Sequence, residues 1–245
     1  MNRNRLKLIG CVTMLIDHVG LLFFPNVLIL RVIGRVSMPI FAFFIGEGCR
    51  FSRHRKKYFL TVFLLGVGCQ LAYAMWALLA AGYAGIRSPV WDLNILLCFA
   101  LAMPGGFLLA DATLPDKAFG AKQKALLTLW AAGVAVLLGV LPAMQKNYGW
   151  GLDLKYELPV ILLCLSSAAY GEKRMKLLSF GTALLIYCAF AFVEIPFIWA
   201  AFASLPLMCL YNGEPGSRKF KYAFYVFYPA HLGLLFLIYA LVSLL

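Results

Sequence analysis

Apolar stretches about as long as a membrane-spanning helix recur along the whole 245-residue chain, divided by short polar or basic connections. At about 1.5 Å rise per residue, each is close to the length that crosses a ~30 Å hydrocarbon core. Nine are read: Leu6–Phe24, Val27–Gly48, Tyr58–Ala81, Leu93–Ala110, Lys124–Leu141, Leu154–Tyr170, Leu177–Val193, Pro196–Tyr211 and Tyr222–Leu244. The pattern predicts an all-α, polytopic integral membrane protein of about nine transmembrane helices, forming one domain over residues 1–245. Only Glu194 and Pro196 divide the seventh stretch from the eighth, both of them short. No soluble domain, low-complexity linker or inverted repeat of the kind built into secondary transporters is visible.

Composition agrees: 63% hydrophobic and 13% charged residues are incompatible with a soluble domain of this size. The first apolar stretch is long and carries no small-residue cleavage site, so no cleavable signal peptide is expected. A net charge of +12 would suit nucleic acid, but the positions of the basic residues argue for topology instead. The N-terminal tail holds three, Arg50–Lys57 five, and Asp111–Lys124, Gly171–Lys176 and Asn212–Lys221 three each. With the N-terminus in the cytoplasm, these 17 of the 22 Lys and Arg are inside, Arg87, Lys146 and Lys155 are outside, and Arg31 and Arg35 lie within the membrane. Cytoplasmic loops retain basic residues; the N-terminus is therefore read inside, the C-terminus outside, and nucleic acid is dropped as a partner. The seven cysteines fall in or beside apolar stretches without CxxC or Cys/His spacing. Neither a metal site nor a disulfide framework is expected, and the thiols read as small packing groups.

Four ionisable residues sit well away from the ends of the first two stretches: Asp17, His18, Arg31 and Arg35. Such groups are costly at membrane depth, face protein rather than lipid, and mark functional positions. Counted along ideal helices, His18 lies about 18 Å from the inner face and Arg35 about 19 Å, and His231 of the last stretch about 14 Å. All three helices thus place polar groups in one layer. Asp17 and His18, about 100° apart on a helix, do not face each other. Asp17 is expected to pair with Arg35 across the short Phe24–Val27 turn, leaving His18 a neutral imidazole. That pair can equally be a lock between two helices. In Phe224-Tyr225-Val226-Phe227-Tyr228-Pro229-Ala230-His231-Leu232, the residues Tyr225, Tyr228 and His231 share a slowly drifting face. Pro229 lacks an N–H and should free the Tyr225 carbonyl and kink the helix. An interfacial aromatic belt explains Tyr222 better than the deeper His231.

Two loops carry further candidates. Tyr148-Gly149-Trp150-Gly151 is read outside, followed by Asp153, Tyr156 and Glu157, and its acids can meet an external acceptor or merely form an interfacial turn. Inside, Tyr211-Asn212-Gly213-Glu214-Pro215-Gly216 leads into Arg218-Lys219-Phe220-Lys221. Together with Arg53, Arg55 and Lys56, this cluster suits a phosphorylated ligand, though anionic lipid or topology accounts for the charge as well.

Met14-Leu15-Ile16-Asp17-His18-Val19-Gly20 followed by Arg31-Val32-Ile33-Gly34-Arg35-Val36-Ser37-Met38-Pro39-Ile40-Phe41-Ala42-Phe43 resembles the start of the TraX family. Glu47-Gly48, Asn94, Tyr148-Gly149, Tyr211-Asn212-Gly213 and the run from Phe224 to Leu232 extend the resemblance to the last stretch. The Asp-His and Tyr-Pro-x-His-Leu elements are its specific parts. The family's named member looks like a pilin N-acetylase, and the family is similar to the transmembrane acyltransferases, which move acyl groups from cytoplasmic acyl-CoA to acceptors beyond the membrane. That wider group often has an arginine where Lys7 stands relative to His18.

The resemblance implies an acyl-CoA-dependent acetyltransferase in a bacterial cytoplasmic membrane, with acetyl-CoA as donor substrate and no metal. Its acceptor is an amine or hydroxyl on a peptide, glycan or lipid, a pilin N-terminus included, and an oligomer is compatible with the sequence. His18 is the candidate base, with Asp17 beside it. His231 is a second base or a transient acyl carrier. Arg31, Arg35, Tyr225 and Tyr228 are candidates for substrate binding and oxyanion stabilisation, with Tyr148, Asp153 and Glu157 facing the acceptor. Arg53, Arg55, Lys56, Asn212, Arg218 and Lys219 are assigned to the CoA phosphates. The rival readings are a proton-coupled transporter or flippase using the same buried groups as a relay, and a non-catalytic assembly factor. The orientation is checked by fusions at the C-terminus in an intact bacterium: alkaline phosphatase there should be active and a green fluorescent protein dark, and the reverse pattern would refute an external C-terminus.

Overall fold

The computed structural model describes residues 1–80, 93–114, 119–148, 157–192, 195–217 and 220–243. Among them every regular element is helical. Seven helical segments are long and apolar enough to cross a membrane, and two shorter apolar ones, Leu158–Ala169 and Pro196–Cys209, accompany them. The protein is an all-α, polytopic membrane protein. Large apolar side chains such as Leu64, Leu71, Leu129 and Phe190 are exposed along these helices, as a hydrocarbon solvent permits. The helices fall into two compact units, Met1–Ala42 with Leu184–Leu245, and Phe43–Ala183.

The first unit begins with α1 (Arg3–Phe23), whose N-cap Asn2 accepts a hydrogen bond from the Arg5 N–H. A tight turn at Pro25 and Asn26 returns the chain into α2 (Leu28–Gly34). The second predicted stretch, read as one helix over Val27–Gly48, is in fact broken: α2 ends at Gly34, and α3 (Ser37–Phe51) resumes after Arg35 and Val36. Pro39 supplies the reason. It has no N–H for the Arg35 carbonyl, and its ring crowds that carbonyl, so the chain tightens into short bonds from Arg35 N to Val32 O and Val36 N to Ile33 O. The stretch Pro196–Tyr211 also departs from one α-helix: Pro196–Ala203 is a 3₁₀ segment, followed by the short Ser204–Cys209 helix. The remaining α-helices are α4 (Arg55–Ala80), α5 (Ile95–Ala112), α6 (Ala121–Tyr148), α7 (Glu157–Ala169), α8 (Lys173–Ala191), α9 (Ser204–Cys209) and α10 (Lys221–Ser243), the last of which runs through Pro229 without interruption. Both α2 and α10 pack on α1.

The second unit is organised around the helix Ile95–Ala112, which packs against the helices Arg55–Ala80, Ala121–Tyr148 and Glu157–Ala169. Asn94 caps it, accepting from Leu96 N and Leu97 N while its amide donates to the Gly66 carbonyl and the Gln70 side chain. Glycines allow close approach in the manner of membrane helices. A Cβ on Gly46 would collide with the Ser167 hydroxyl and the Cys164 carbonyl, and Ser167 donates to the Phe43 carbonyl at 3.1 Å.

One end of this unit holds an ionic layer whose pairing composition alone did not reveal. Glu47 and Lys176, both buried, form a salt bridge, with the Phe43 and Phe51 rings against the ammonium. Arg50 donates to Thr113 Oγ1 at 2.7 Å and to the carbonyls of Ala168 and Ala169, capping the end of Glu157–Ala169. Arg55 forms a forked pair with Asp111 at 2.6 and 2.8 Å. Removing one partner of a buried pair strands the other charge, whereas removing both relieves two desolvation costs. Glu47→Leu or Lys176→Met alone should therefore destabilise by about 3–5 kcal/mol, while the double variant should return close to the parent in detergent thermal unfolding. Equal stability of all three single and double variants would contradict a buried pair.

Candidate functional site

The deep polar residues of the first unit converge on one turn of α1. Two glycines bring α2 onto it: a Cβ on Gly20 would press on Leu30, and one on Gly34 would land on the Asp17 side chain. With both absent, Asp17 sits against the end of α2 and receives both arginines. Arg35 Nη2 lies 2.6 Å from Asp17 Oδ1 and Arg31 Nη1 2.8 Å from Asp17 Oδ2. Arg31 Nη1 also donates to the Asp17 main-chain carbonyl, and Arg35 Nε to the carbonyl of Arg31. The break imposed by Pro39 thus falls at the residue whose side chain folds back onto its own helix. Arg35 further covers the Phe197 ring, 5.9 Å from its centroid. The Asp17–Arg35 pair expected from depth is present, but Arg31 joins it, so one carboxylate serves two guanidinium groups. Their side chains retain 12% (Asp17), 14% (Arg35) and 20% (Arg31) of full exposure; Arg31 is the most accessible of the three.

His18, the next residue of α1, turns instead to α10. His231 Nε2 lies 3.2 Å from His18 Nδ1, with ring centroids 5.1 Å apart. His231 is buried. Its Nδ1 is 2.8 Å from the Phe227 carbonyl, its ring stacks on Phe227 at 4.6 Å, and the Tyr228 ring meets it edge-on at 5.9 Å. Two histidines 213 residues apart therefore touch beside an Asp–Arg–Arg cluster. The carbonyl that meets the histidine pair is that of Phe227.

Other sequence candidates fall elsewhere. Arg55 is bound to Asp111, so its charge is already matched, unlike those of the exposed Arg53 and Lys56. Asn212 builds its own turn: its amide donates to the Glu214 carboxylate while its oxygen accepts the Glu214 N–H. Gly213 and Gly216 supply φ of 81° and 75°, which side chains disfavour. The N-terminal segment closes over this turn, Arg3 N donating to the Glu214 carbonyl and Asn4 Nδ2 to that of Ser217. Lys7 lies over the Phe224 ring at 5.6 Å, in the same α1–α10 contact as the histidines. Tyr225 is half-buried on α10. Tyr148 and Glu157 are helix ends; their side chains, and Asp153, Arg218 and Lys219 entirely, lie outside the described residues.

Sequence reasoning missed Phe227, Phe197 and Tyr187. Phe227 was legible, since it precedes His231 by one helical turn on the same face. Tyr187 was not: nothing in its surroundings marks it, yet it is buried within electrostatic reach of Arg35 and Asp17.

These features define the class: an all-helical integral membrane protein with a histidine pair and a carboxylate–arginine cluster packed among its spanning helices. The TraX protein family model matches residues 2–239, and the chain belongs to the TraX family. It is 28% identical over 248 aligned residues to a probable fimbrial assembly protein, FimC of serogroup H1, from Dichelobacter nodosus, covering 94% of this chain and 93% of that one. A 41-residue segment is 49% identical to the uncharacterized protein RP591 of Rickettsia prowazekii (strain Madrid E), covering 17% and 16% of the two chains. No solved structure matches.

The two-to-one pairing predicts unequal single variants. Arg31→Gln or Arg35→Gln leaves Asp17 a partner, whereas Asp17→Asn strands two cations. Asp17→Asn should lose about 3–5 kcal/mol and each arginine variant clearly less, measured by unfolding in detergent. An arginine variant as unstable as Asp17→Asn would show that the two contacts are not shared in this way.

Proposed function

We propose that this protein is a membrane-embedded acyltransferase that moves an acetyl group from cytoplasmic acetyl-CoA to an amine or hydroxyl acceptor at or beyond the membrane. The reading rests above all on the meeting of His18 and His231 at 3.2 Å, beside Arg31 and Arg35. Acyl transfer from a thioester needs a base for the acceptor proton and a positive group where the carbonyl oxygen becomes an oxyanion. His18 serves as the base. Arg31, the most open member of the cluster, faces the developing oxyanion, with Arg35 and Asp17 holding it in place. Tyr225 and Tyr228 line the acceptor side of α10.

Basic residues of the cytoplasmic connections hold the CoA phosphates, in keeping with an inside N-terminus in a bacterial inner membrane. The acceptor is a fimbrial or pilin subunit, most simply its amino terminus; the relative named as a fimbrial assembly protein supports that direction. A proton-coupled transporter would use the same histidine contact as a relay, and the experiment below separates the two.

Purified protein in lipid nanodiscs, given radiolabelled acetyl-CoA and a processed pilin peptide or a hydroxyl acceptor, should release CoA and label the acceptor. His18→Ala should lower the rate by about 10²–10⁴-fold while leaving acetyl-CoA binding and thermal stability near parental values. A transporter would neither bind acetyl-CoA nor release CoA. Near-normal turnover in a folded His18→Ala protein would remove His18 from the role of base.

A further inference from the structure

The histidine contact carries an assignment of protons that separates the two roles open to His231. The Phe227 carbonyl, 2.8 Å from His231 Nδ1, can only accept, so Nδ1 of His231 bears the hydrogen. In the neutral ring its Nε2 then carries a lone pair. That lone pair faces His18 Nδ1 at 3.2 Å, and two lone pairs do not bond, so His18 Nδ1 is the donor. The remaining nitrogen, His18 Nε2, is left with its lone pair outward from the contact. The Phe227 main chain thus sets the tautomer of two rings in series, as an outer hydrogen bond commonly does for histidine.

We infer that His231 is a positioning residue, which holds His18 with Nε2 as the basic nitrogen, and that the acyl group passes directly from donor to acceptor with no acyl-His231. The inference rests on the acyltransferase reading above. Both nitrogens of His231 are spent, Nδ1 on Phe227 and Nε2 on His18. The ring is packed between Phe227 and Tyr228 and is only 6% exposed. To carry an acetyl group, Nε2 would have to release His18 and admit a thioester into that packing. In the direct step, His18 Nε2 takes the proton of the neutral amine or hydroxyl as its nitrogen or oxygen bonds to the acetyl carbon. The carbon–sulfur bond then breaks, and the CoA thiolate takes that same proton from Nε2. Acetyl-CoA and acceptor become acetylated acceptor and free CoA thiol, and both histidines return to their starting state. While His18 is an imidazolium, its Nδ1–H still donates to His231 Nε2, and the Phe227 carbonyl backs the pair.

The chain has three histidines, so ¹⁵N-histidine spectra of the full-length protein in nanodiscs can be assigned by single substitution. His18 and His231 should each show a protonated Nδ1 and an unprotonated Nε2. A hydrogen on His18 Nε2 in the parent would overturn the assignment without reference to activity. His231→Gln places a side-chain carbonyl oxygen near the position of Nε2 and accepts from His18, but cannot carry an acyl group; His231→Leu does neither. The expected result is a loss under about tenfold for His231→Gln and on the order of 100-fold or more for His231→Leu, with no acetyl group on His231 in parental protein quenched during turnover. Equal inactivity of folded His231→Gln and His231→Leu, or acetyl found on His231, would overturn the direct route. If the parent transfers no acetyl group to any acceptor, the acyltransferase reading falls, while the spectra still decide the tautomers.

Discussion

One carboxylate holds the polar site of the first unit together. Asp17 accepts from Arg31 and Arg35 at 2.8 and 2.6 Å, among helices whose other side chains are almost all apolar. Charges in such surroundings persist only when paired and hydrogen-bonded, so this contact dictates what the neighbouring backbone must do. Gly20 and Gly34 lack side chains because α2 has to close on α1, and Pro39 breaks the helix where Arg35 must fold back on Arg31. The break is thus a consequence of the site and not a defect in a spanning helix.

The same contact sets the direction of His18. With Asp17 turned toward α2, the next residue lies about 100° round the helix and meets α10. Adjacent residues of α1 therefore face two different helices, and a single turn of α1 joins the cationic cluster to the histidine pair. A group that receives a proton and a group that stabilises an oxyanion are most effective when fixed before the reaction begins. In the proposed acyl transfer, the ion pairs, the Phe227 carbonyl and the ring packing around His231 supply that rigidity.

The second unit solves the problem of buried charge differently. Among the described residues its buried ions are matched one to one, Glu47 with Lys176 and Arg55 with Asp111, or spent on helix-end carbonyls, as with Arg50. Saturated groups of this kind lock helices. The first unit instead places two cations on one acid beside a pair of touching histidines, and the proposed chemistry is located there for that reason. Apparent functional charge in a membrane sequence thus divides by its partners, which residue type alone does not disclose.

Much of this was legible in the chain itself. Runs of apolar residues long enough to span a bilayer determine an all-helical polytopic fold, because no other open structure satisfies its backbone in lipid. The rarity of Asp, His and Arg within such runs also singled out Asp17, His18, Arg31, Arg35 and His231, since depth along a helix follows from residue count. Angles around helices and contacts between them do not. Only the tertiary structure showed that Arg31 shares Asp17, that His18 meets His231 while His231 Nδ1 faces the Phe227 carbonyl, and that Tyr187 lies nearby. It also showed that Arg55 and Asn212, attractive as ligand-binding groups, are already bound to Asp111 and Glu214. Apolar length is a property of each segment alone, whereas the pairing of a polar group depends on which helix packs beside it.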